Sequence, residues 1–510
     1  MAEIDCLVIG SGPSGVACAS ALLAAGRRVL MVDPGLTLEA DRTAAVDAAR
    51  AAGPLSPANA AWAAPLPGRV PRKLIYGSDF PYRDASEALA LDPHGMGAEP
   101  SFARGGLSNV WGASALPYTA HDIADWPVSA DDLAPHYAAC AELLGIAGEK
   151  DDLAEWLPLH GEPQAQLRAS AQAATMLDAM TRHRAALHER GFRFGRARVA
   201  ADASNCTYCG LCLHGCPDRL IYSSNRTITA MQTNTNFTLR GDIVVETLGD
   251  AVAHGKDRNT GAPVSLEANR IFLASGAIPS TAMLLRSADA FDQTVTLKDS
   301  QYFLLPLALF RGAPGAREEK LHTMAQLFLE LRDAALSPYT IHMQIYTYNS
   351  LMAGAVRQRL GAMLEPLARW GDAHFVLIQG YLHSAHSGEI EMTLRRDKLE
   401  ARGKPSLEAR RIIGALVRKL MAHATKLGAM ALPPLMEITE PGRGFHIGGS
   451  FPMRAAPSKY ETDTLGRPFG WRRTHVVDAT VLPSVPATTI TYPVMANAHR
   501  IATHAAKATA

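Results

Sequence analysis

The apolar residues at the start of the chain fall into short runs separated by glycine. Residues 4–9 form one apolar run, residues 10–15 are Gly-Ser-Gly-Pro-Ser-Gly, and residues 16–25 form a second, longer apolar run. Short apolar runs bounded by glycine are typical of buried strands, and longer ones are typical of helices. The pattern predicts a strand, a tight turn and a helix, followed by a second strand over 28–32.

The turn has the glycine spacing of a dinucleotide-binding turn. In such a turn Gly10 permits the sharp bend, Gly12 lets backbone amides approach a diphosphate, and Gly15 lets the helix pack closely on the strand. The carboxylate of Asp33, at the end of the second strand, lies where ribose hydroxyls are bound. Because strand, turn, helix and acid occur in this order, we predict a dinucleotide held by Gly10, Gly12, Pro13, Ser14, Gly15 and Asp33.

Two further glycine-rich stretches are cofactor candidates. Residues 270–274 predict a strand that leads into a helix through 285, and residues 242–247 predict another strand, so this region adds a βα element to the nucleotide-binding domain. Residues 102–112 form a turn of glycines and small polar residues, suited either to lie against a planar ligand or to connect domains. The cofactor candidates in these stretches are Gly105, Gly106, Ser108, Asn109 and Gly276.

From residue 302 the apolar pattern changes to an alternation with period two, which predicts an antiparallel sheet and therefore a second domain. The last two strands, 375–384 and 389–394, are expected to be joined by a turn at 387–388. Helical spacing predicts packing helices over 129–144, 164–190 and 406–427, and the proline-rich residues 43–72 predict a surface insertion or lid. The predicted strands are 302–310, 321–331, 340–348, 375–384 and 389–394.

Charge and length narrow the class of protein. Lysine and arginine (50) nearly balance aspartate and glutamate (49), so net charge gives no case for a nucleic acid or an anionic membrane surface as partner. At 510 residues the chain is longer than one compact core, which predicts at least two domains. No uncharged apolar run approaches the ~20 residues of a spanning helix, and the first strand begins too early for a signal peptide. We therefore expect a cytoplasmic protein with no membrane span.

Four of the seven cysteines lie close together, at Cys206, Cys209, Cys212 and Cys216. Their spacing, C-x2-C-x2-C-x3-C-P, is that of bacterial ferredoxins, in which thiolates hold an iron–sulfur cluster. The spacing fits both [4Fe–4S], with Cys216 as the fourth ligand, and [3Fe–4S], with Cys216 as a spare, and does not decide between them; we expect [4Fe–4S]. Zinc and a set of reduced thiols also remain open, although structural zinc sites usually pair two C-x2-C units across a longer gap.

Three separated stretches resemble the glucose-methanol-choline (GMC) oxidoreductases, FAD enzymes that oxidise alcohols. They are the turn 10–15, the segment 276–285, and a C-terminal region in which 445–450 is similar to the family's His-x-x-Gly-Thr motif and 476–486 to its flavin-binding segment. The cysteine run is similar to one found in a subset of GMC-like sugar and alcohol dehydrogenases that carry an iron–sulfur cluster.

This resemblance implies an α/β fold with a discontinuous, Rossmann-like FAD-binding domain and a second, α+β substrate domain whose antiparallel sheet covers the flavin. The FAD-binding domain is expected to comprise 1–120, 203–290 and 440–510, with the iron–sulfur segment at 204–217. The substrate-binding domain is expected to comprise 121–202 and 291–439.

The resemblance also implies roles for individual residues. Hydride transfer from a carbinol carbon needs a base for the hydroxyl proton, and histidine suits that task near neutral pH; His446 stands where the family has its catalytic histidine. The family's second histidine or asparagine falls on Thr489, which cannot act as a base and is expected to position the substrate oxygen. The position closest to the family's histidine that attaches FAD is Val110, so we expect noncovalent FAD. The C-terminal flavin-binding segment supplies Asp478 and Ala479.

One face of the predicted antiparallel strands is rich in polar side chains. Such a face either meets water or lines a cavity for a molecule with many hydroxyl groups, and the resemblance, which places this sheet over the flavin, favours the cavity. The substrate-binding candidates are Gln326, Gln344, Tyr346, Gln379, Tyr381 and His383.

We therefore expect an FAD-dependent dehydrogenase that oxidises an alcohol group of a sugar, glycoside or polyol. Its electrons would leave through the cluster to a protein or quinone acceptor, with a small partner subunit as a further candidate partner. Two alternatives remain: an oxygen-using alcohol oxidase with structural cysteines, and a weakly catalytic electron-transfer or scaffold subunit.

Overall fold

The computed structural model describes residues 4–52, 73–349 and 365–507. Its N-terminal glycine turn is carried by a sheet of parallel strands, which we call the nucleotide sheet. The strand Thr474–Val476 joins this sheet beside Arg270–Leu273, so chain segments from both ends build it. The order of its strands is Thr474–Val476, Arg270–Leu273, Cys6–Ile9, Val29–Val32 and Phe237–Arg240.

The core of this part forms because the predicted apolar runs are buried. Leu7 and Val8 of the first strand are fully inaccessible to solvent, as expected for a parallel strand covered on both faces. The helix Pro13–Ala24 packs against the C-terminal helix Thr491–Lys507. The predicted strand, turn and helix at the start of the chain are therefore confirmed.

An antiparallel sheet, which we call the substrate sheet, forms a second layer, as predicted. The apolar side of its strands packs with Ile412, Leu416 and Leu420 of the helix Leu407–Ala422, which is capped by the hydroxyl of Ser406. The order of its strands is Ala429–Ala431, Tyr302–Leu309, Phe375–Tyr381, Ser337–Tyr346, Leu327–Asp333 and Phe192–Arg196, and Glu437–Ile438 also pairs with Tyr302–Leu309.

The predicted hairpin between 375–384 and 389–394 is wrong. The strand Phe375–Tyr381 belongs to the substrate sheet, whereas Glu389–Leu394 belongs to another sheet. The chain leaves the first strand after Tyr381, because the amide of Leu382 donates to Gln301 O and the amide of Ser384 donates to Val485 O. The strands of that other sheet are Ile447–Gly448, Thr294–Asp299, Glu389–Leu394, Leu399–Lys404 and Leu91–His94.

The predicted strand at 242–247 exists as Ile243–Leu248, but it does not extend the nucleotide sheet. It pairs antiparallel with Val252–Asp257, because the short turn between the two strands folds the chain back on itself. The remaining strands are Pro263–Glu267, which completes this small sheet, and the pair Ile146–Ala147 and Val199–Ala200.

Two predicted segments, the helix over 164–190 and the insertion over 43–72, differ from the structure. The segment predicted over 164–190 becomes helical only at Ala171, where the Ser170 hydroxyl caps it. The first part of the predicted insertion, 43–52, belongs to a helix, and the rest of it lies outside the described residues. The helices are Pro13–Ala24, Ala40–Ala52, Ala85–Ala88, Ala130–Leu144, Ala171–Arg182, Arg184–His188, Ser224–Met231, Ala277–Ser287, Glu365–His374, Leu407–Ala422, Ala424–Leu427 and Thr491–Lys507, with short 3-10 turns at Gly106–Asn109, Asp152–Glu155, Pro433–Leu435 and Ala479–Val481.

A membrane-spanning helix would have to be both long and apolar. None of the helices within residues 4–52, 73–349 and 365–507 meets both conditions.

Candidate active site

A cavity of about 450 Å³ lies between the nucleotide sheet and the substrate sheet. On one side it is lined by residues that follow the carboxyl ends of the parallel strands, including Gly10, Asp33 and Ser275, which is where open α/β sheets bind ligands. On the other side it is lined by polar residues of the substrate sheet. The two predicted halves of a cofactor and substrate site therefore face one cavity.

The first glycine turn has the geometry predicted for it. A Cβ atom at Gly15 would lie 2.0 Å from Gly10 O, so only glycine allows this approach of helix to strand. Gly12, by contrast, lines the cavity, and a Cβ atom there would meet no protein atom within 4 Å. No side chain caps the helix that begins at Pro13, so its first amides are free to bind an anion.

A second helix begins at the cavity with the same features. Gly276 has a φ of +88°, a Cβ atom there would also meet nothing within 4 Å, and no side chain caps the helix Ala277–Ser287. The carboxylate of Asp478 accepts the amide of Gly276 and the hydroxyl of Ser280 through Oδ2, and the amide of Thr480 through Oδ1. Asp478 thus fixes the second turn, and both Asp478 and Ala479 line the cavity.

Asp33 is buried beside the first turn. The amide and the hydroxyl of Ser11 donate to its Oδ2 over 3.0 and 2.5 Å, and the amide of Gly35 donates to its Oδ1 over 2.7 Å. Burial raises the pKa of this carboxyl to about 6 and outweighs those hydrogen bonds. A buried acceptor at this point of the cavity fits the predicted contact with ribose hydroxyls.

The glycine-rich stretch at 102–112 closes over the first turn. The amide of Gly105 donates to Ser11 Oγ over 2.8 Å, and the side-chain amide of Asn109 holds the loop by donating to Arg104 O and Gly106 O. Gly106 and Ser108 line the cavity. Gly15, Gly105 and Asn109 do not line the cavity. They shape the first glycine turn and the loop 102–112 instead.

His446 reaches the cavity at the end of a tight turn. Gly442 and Phe445 both have positive φ, +81° and +58°, and the backbone oxygen of His446 accepts the amide of Ser300. Its Nδ1 is buried and has no hydrogen-bond partner among the described residues, whereas Nε2 is not among the buried atoms without a partner. The ring stacks on Tyr381 with centroids 4.7 Å apart.

The protonation of His446 differs from the sequence-based expectation of a group near neutrality. Burial, and to a lesser extent the nearby His342, lowers its pKa to about 3. The imidazole is therefore neutral at pH 7, with a lone pair available to accept a proton.

Thr489 lies in the same cavity. Its Oγ1 accepts the amide of Leu116 over 2.9 Å, so the hydroxyl oxygen is held in place while the hydroxyl proton can be donated. This geometry suits a group that positions a substrate oxygen.

Four of the six substrate candidates line the cavity: Gln344, Tyr346, Gln379 and Tyr381. Gln326 does not reach it, because its side chain bonds Ser170 N and His322 O. His383 does not reach it either, because its ring stacks on Tyr339 at 3.7 Å. Both residues follow the alternation of the sequence, but they lie beyond the ends of the strands Leu327–Asp333 and Phe375–Tyr381.

Sequence reasoning missed several residues that line the cavity. Tyr302 stands opposite Tyr381 in the sheet register and stacks with it at 5.2 Å, a relation visible only once the strands are paired. Ser11 was visible between the two glycines of the turn. Further lining residues without a local signal are Lys73, Trp111, Ser114 and Arg443.

Asp299 lies beside the turn that carries His446, and the amides of Gly442 and Ser300 lie near its carboxyl group. Burial raises the pKa of this carboxyl from 3.8 to about 7. The folded protein therefore binds the proton of Asp299 more tightly than the unfolded chain does. Because losing that proton costs more in the folded protein, the free energy of unfolding falls as the pH rises from about 4 to about 7.

We predict that Asp299→Asn raises the free energy of unfolding at pH 8 by at least about 1 kcal/mol, the equivalent of one pKa unit. Asparagine keeps an oxygen for the two amides and removes the charge. Urea unfolding at pH 8 and pH 4 measures the effect, which should vanish at the lower pH. A variant equally stable to the parent at pH 8 would contradict the prediction.

The four clustered cysteines lie in the loop between the strand Val199–Ala200 and the helix Ser224–Met231. The amides of Thr323 and Leu220 approach Cys212 Sγ and Cys216 Sγ at 3.4 Å. Burial raises the pKa of both thiols to about 11, and the thiols of Cys209 and Cys212 contribute to the shift at Cys216. The four residues are thus neighbours, but across the described part of the chain no group of three or more His, Cys, Asp or Glu side chains is arranged to hold a metal ion. The iron–sulfur ligand set stays a prediction from the sequence.

The chain resembles known proteins in its fold and not in its sequence. No protein-family model matches it, and no curated protein matches its sequence. The crystal structure of pyridoxine 4-oxidase from Mesorbium loti superposes on 98% of this chain and 99% of that one, with a TM-score of 0.62 and 16% identity. The two proteins share a fold. This fold agrees with the expected α/β class. At 16% identity the match supports a shared fold and nothing further.

Proposed function

We propose that this protein binds FAD and oxidises a hydroxyl group of a polar small molecule. The observation that carries the proposal is the single cavity, because it joins two uncapped helix N-termini and a buried Asp33 at one end to His446 and Thr489 at the other. The open space beside Gly12 and Gly276 fits a diphosphate, since a side chain at either position would fill that space.

Each part of the chain has a defined task in this reaction. Bound FAD would supply the acceptor for the hydride of the carbinol carbon. His446 Nε2 takes the hydroxyl proton, and the Thr489 hydroxyl holds the substrate oxygen. The protein surrounds these groups with the substrate sheet, which limits the access of water to the reacting atoms.

The substrate should be rich in polar groups. The cavity is lined by Gln344, Gln379, Tyr302 and Tyr381, whose side chains carry amides and hydroxyls, and such groups bind hydroxyl-rich molecules. We therefore propose a sugar, glycoside or polyol. Pyridoxine, named in the structure with the same fold, is also a polar molecule and is the first comparison substrate.

We predict that FAD is bound noncovalently, because no histidine or cysteine stands at Val110. Acid precipitation of the purified protein should release all of the yellow flavin into the supernatant. Flavin that remained in the protein pellet would contradict this prediction.

The proposed oxidation is tested by anaerobic reduction of the bound flavin. A panel of sugars, polyols and pyridoxine should include a compound that bleaches the flavin absorbance of the parent protein in a single turnover. Repeating the reaction with oxygen and with an artificial acceptor separates the dehydrogenase from the oxidase. If the protein bound FAD but no alcohol reduced the flavin, the result would favour the alternative of a weakly catalytic electron-transfer or scaffold subunit.

The second part of the proposal is the route by which electrons leave the flavin. The ferredoxin-like spacing of Cys206, Cys209, Cys212 and Cys216 supports a cluster, as do the two amides near Cys212 and Cys216, because amide-to-sulfur hydrogen bonds are usual around such clusters. A cluster accepts electrons singly and therefore suits an external acceptor protein or quinone. Zinc in the same place has no accessible redox change.

We predict that Cys209→Ser removes iron from protein purified without oxygen and slows turnover with the natural acceptor. Reduction of the flavin by substrate should stay close to the parent rate, since the cluster acts after that step. Cys140→Ser is the matched control, because Cys140 is buried in a helix away from the loop. Parent protein that contains no iron would rule out the cluster.

A further inference from the structure

Glu330 and His342 form a hydrogen-bonded pair that is completely buried. His342 Nδ1 lies 2.6 Å from Glu330 Oε1, and neither side chain has any exposed surface. The two residues stand opposite each other on the strands Leu327–Asp333 and Ser337–Tyr346. His342 shares a face of its strand with Gln344 and Tyr346, but it lies beyond the cavity lining. The pair is therefore behind the wall of the proposed active site.

Tyr381 connects this pair to His446. The phenol ring of Tyr381 stacks on His446 at 4.7 Å, with the planes 20° apart. The same ring stacks on His342 at 6.0 Å, with the planes 24° apart. Tyr381 and His342 are also direct partners in the sheet register. The catalytic candidate and the buried pair thus flank one aromatic ring.

Each residue of the pair has one polar atom without a hydrogen bond to another described residue. Glu330 Oε2 and His342 Nε2 have no hydrogen-bond partner among the described residues. Arg198 and Arg332 interact electrostatically with Glu330, but Arg198 is bound to Asp151 and Arg332 donates to Thr119 and Thr340. One oxygen of the buried Glu330 side chain is therefore left without a hydrogen-bond partner among the described residues.

Proton transfer to His446 creates a charge that must be balanced. The O–H bond of the substrate breaks, its electron pair stays on oxygen, and an N–H bond forms at His446 Nε2. The carbinol hydrogen leaves as hydride to the flavin of the proposed function. A carboxylate at Glu330 places a negative charge on the same side of Tyr381 as His342, whereas a neutral side chain there would leave the new positive charge on His446 without an offset in a buried region.

We propose that Glu330 and His342 are positioning residues for His446: the Glu330 carboxylate fixes the His342 ring, and its negative charge offsets the positive charge that His446 acquires in the reaction. This inference rests on the proposed function. It assigns a role to two residues that touch neither the substrate nor the cavity.

The test is Glu330→Gln in the FAD-loaded protein. The variant keeps the shape and removes the charge, and we expect flavin reduction at saturating substrate to slow by about tenfold, the scale of one unit charge acting across ~10 Å at an effective dielectric constant near 20. KM should stay unchanged, because neither residue contacts the substrate. The solvent deuterium isotope effect on flavin reduction should rise, because proton transfer then limits the rate.

Asp122→Asn is the matched control. Asp122 is a buried carboxylate that accepts Thr340 N and Thr119 Oγ1 and also interacts with Arg332, but it is not part of the aromatic stack. It should leave the rate and the isotope effect unchanged. Equal losses in both variants, or a parental rate in Glu330→Gln, would overturn the proposal.

A second variant keeps the test decisive if Glu330→Gln does not fold. His342→Gln retains a donor for Glu330 and the negative charge, so we expect a loss of only about threefold, the scale of one altered hydrogen bond. An unchanged rate in this variant would also count against the pair. A parental rate in His446→Gln, measured alongside, would instead refute the proposed function and not this inference alone.

Discussion

His446→Gln is expected to lower turnover by about 100-fold or more, the usual scale for the loss of a general base. Glutamine has a similar polar shape but cannot accept a proton at pH 7. The effect should appear in the rate of flavin reduction by substrate, because His446 acts in that step. The amount of bound FAD should stay the same, since the side chain lies at the substrate end of the cavity.

Two further variants test whether the loss of turnover is specific to His446. His383→Gln is the matched control, because His383 is also a buried histidine near the substrate sheet, but it stacks on Tyr339 outside the cavity; its turnover should stay close to the parent's. Thr489→Ala should cost about 0.5–1.5 kcal/mol in transition-state stabilisation, the value of one hydrogen bond. Parental turnover in His446→Gln would show that another group removes the proton.

Gly12→Val is expected to weaken FAD binding by about 100-fold, the upper end of the 1–3 kcal/mol cost of overpacking a site. The backbone of Gly12 has φ −67° and ψ −177°, a conformation that any residue adopts. A Cβ atom there meets no protein atom within 4 Å and extends towards the cavity. The substitution should therefore leave the fold intact and occupy space that the diphosphate needs.

The measurement is a titration of the apoprotein with FAD, followed by flavin fluorescence, together with the thermal unfolding of the apoprotein. Gly241→Val provides the control, because a Cβ atom at Gly241 is equally unobstructed but Gly241 is not one of the residues that line the cavity. The control should bind FAD like the parent. If Gly12→Val also bound FAD with parental affinity, the diphosphate would not lie at this turn.

The sequence by itself determined the local elements of this protein. Apolar runs, glycine turns and capping serines act within a few residues of one another, so the unit from Cys6 to Ala24 and the helices that begin after Ser129 and Ser406 could be predicted. The same holds for Asp33, whose place at the end of a strand follows from the order of the elements. Glycine spacing also located the turn that borders the cavity.

Only the tertiary structure decided which distant residues meet. Gln326 and His383 follow the alternation that predicted the substrate face, yet they lie outside the cavity, whereas Tyr302 lines it because its strand pairs in register with that of Tyr381. Strand partners are chosen by packing across the whole chain, and period-two alternation fixes a side chain's face but not its neighbours. The buried pair of Glu330 and His342 arises for the same reason: its two residues come together only through the pairing of their strands.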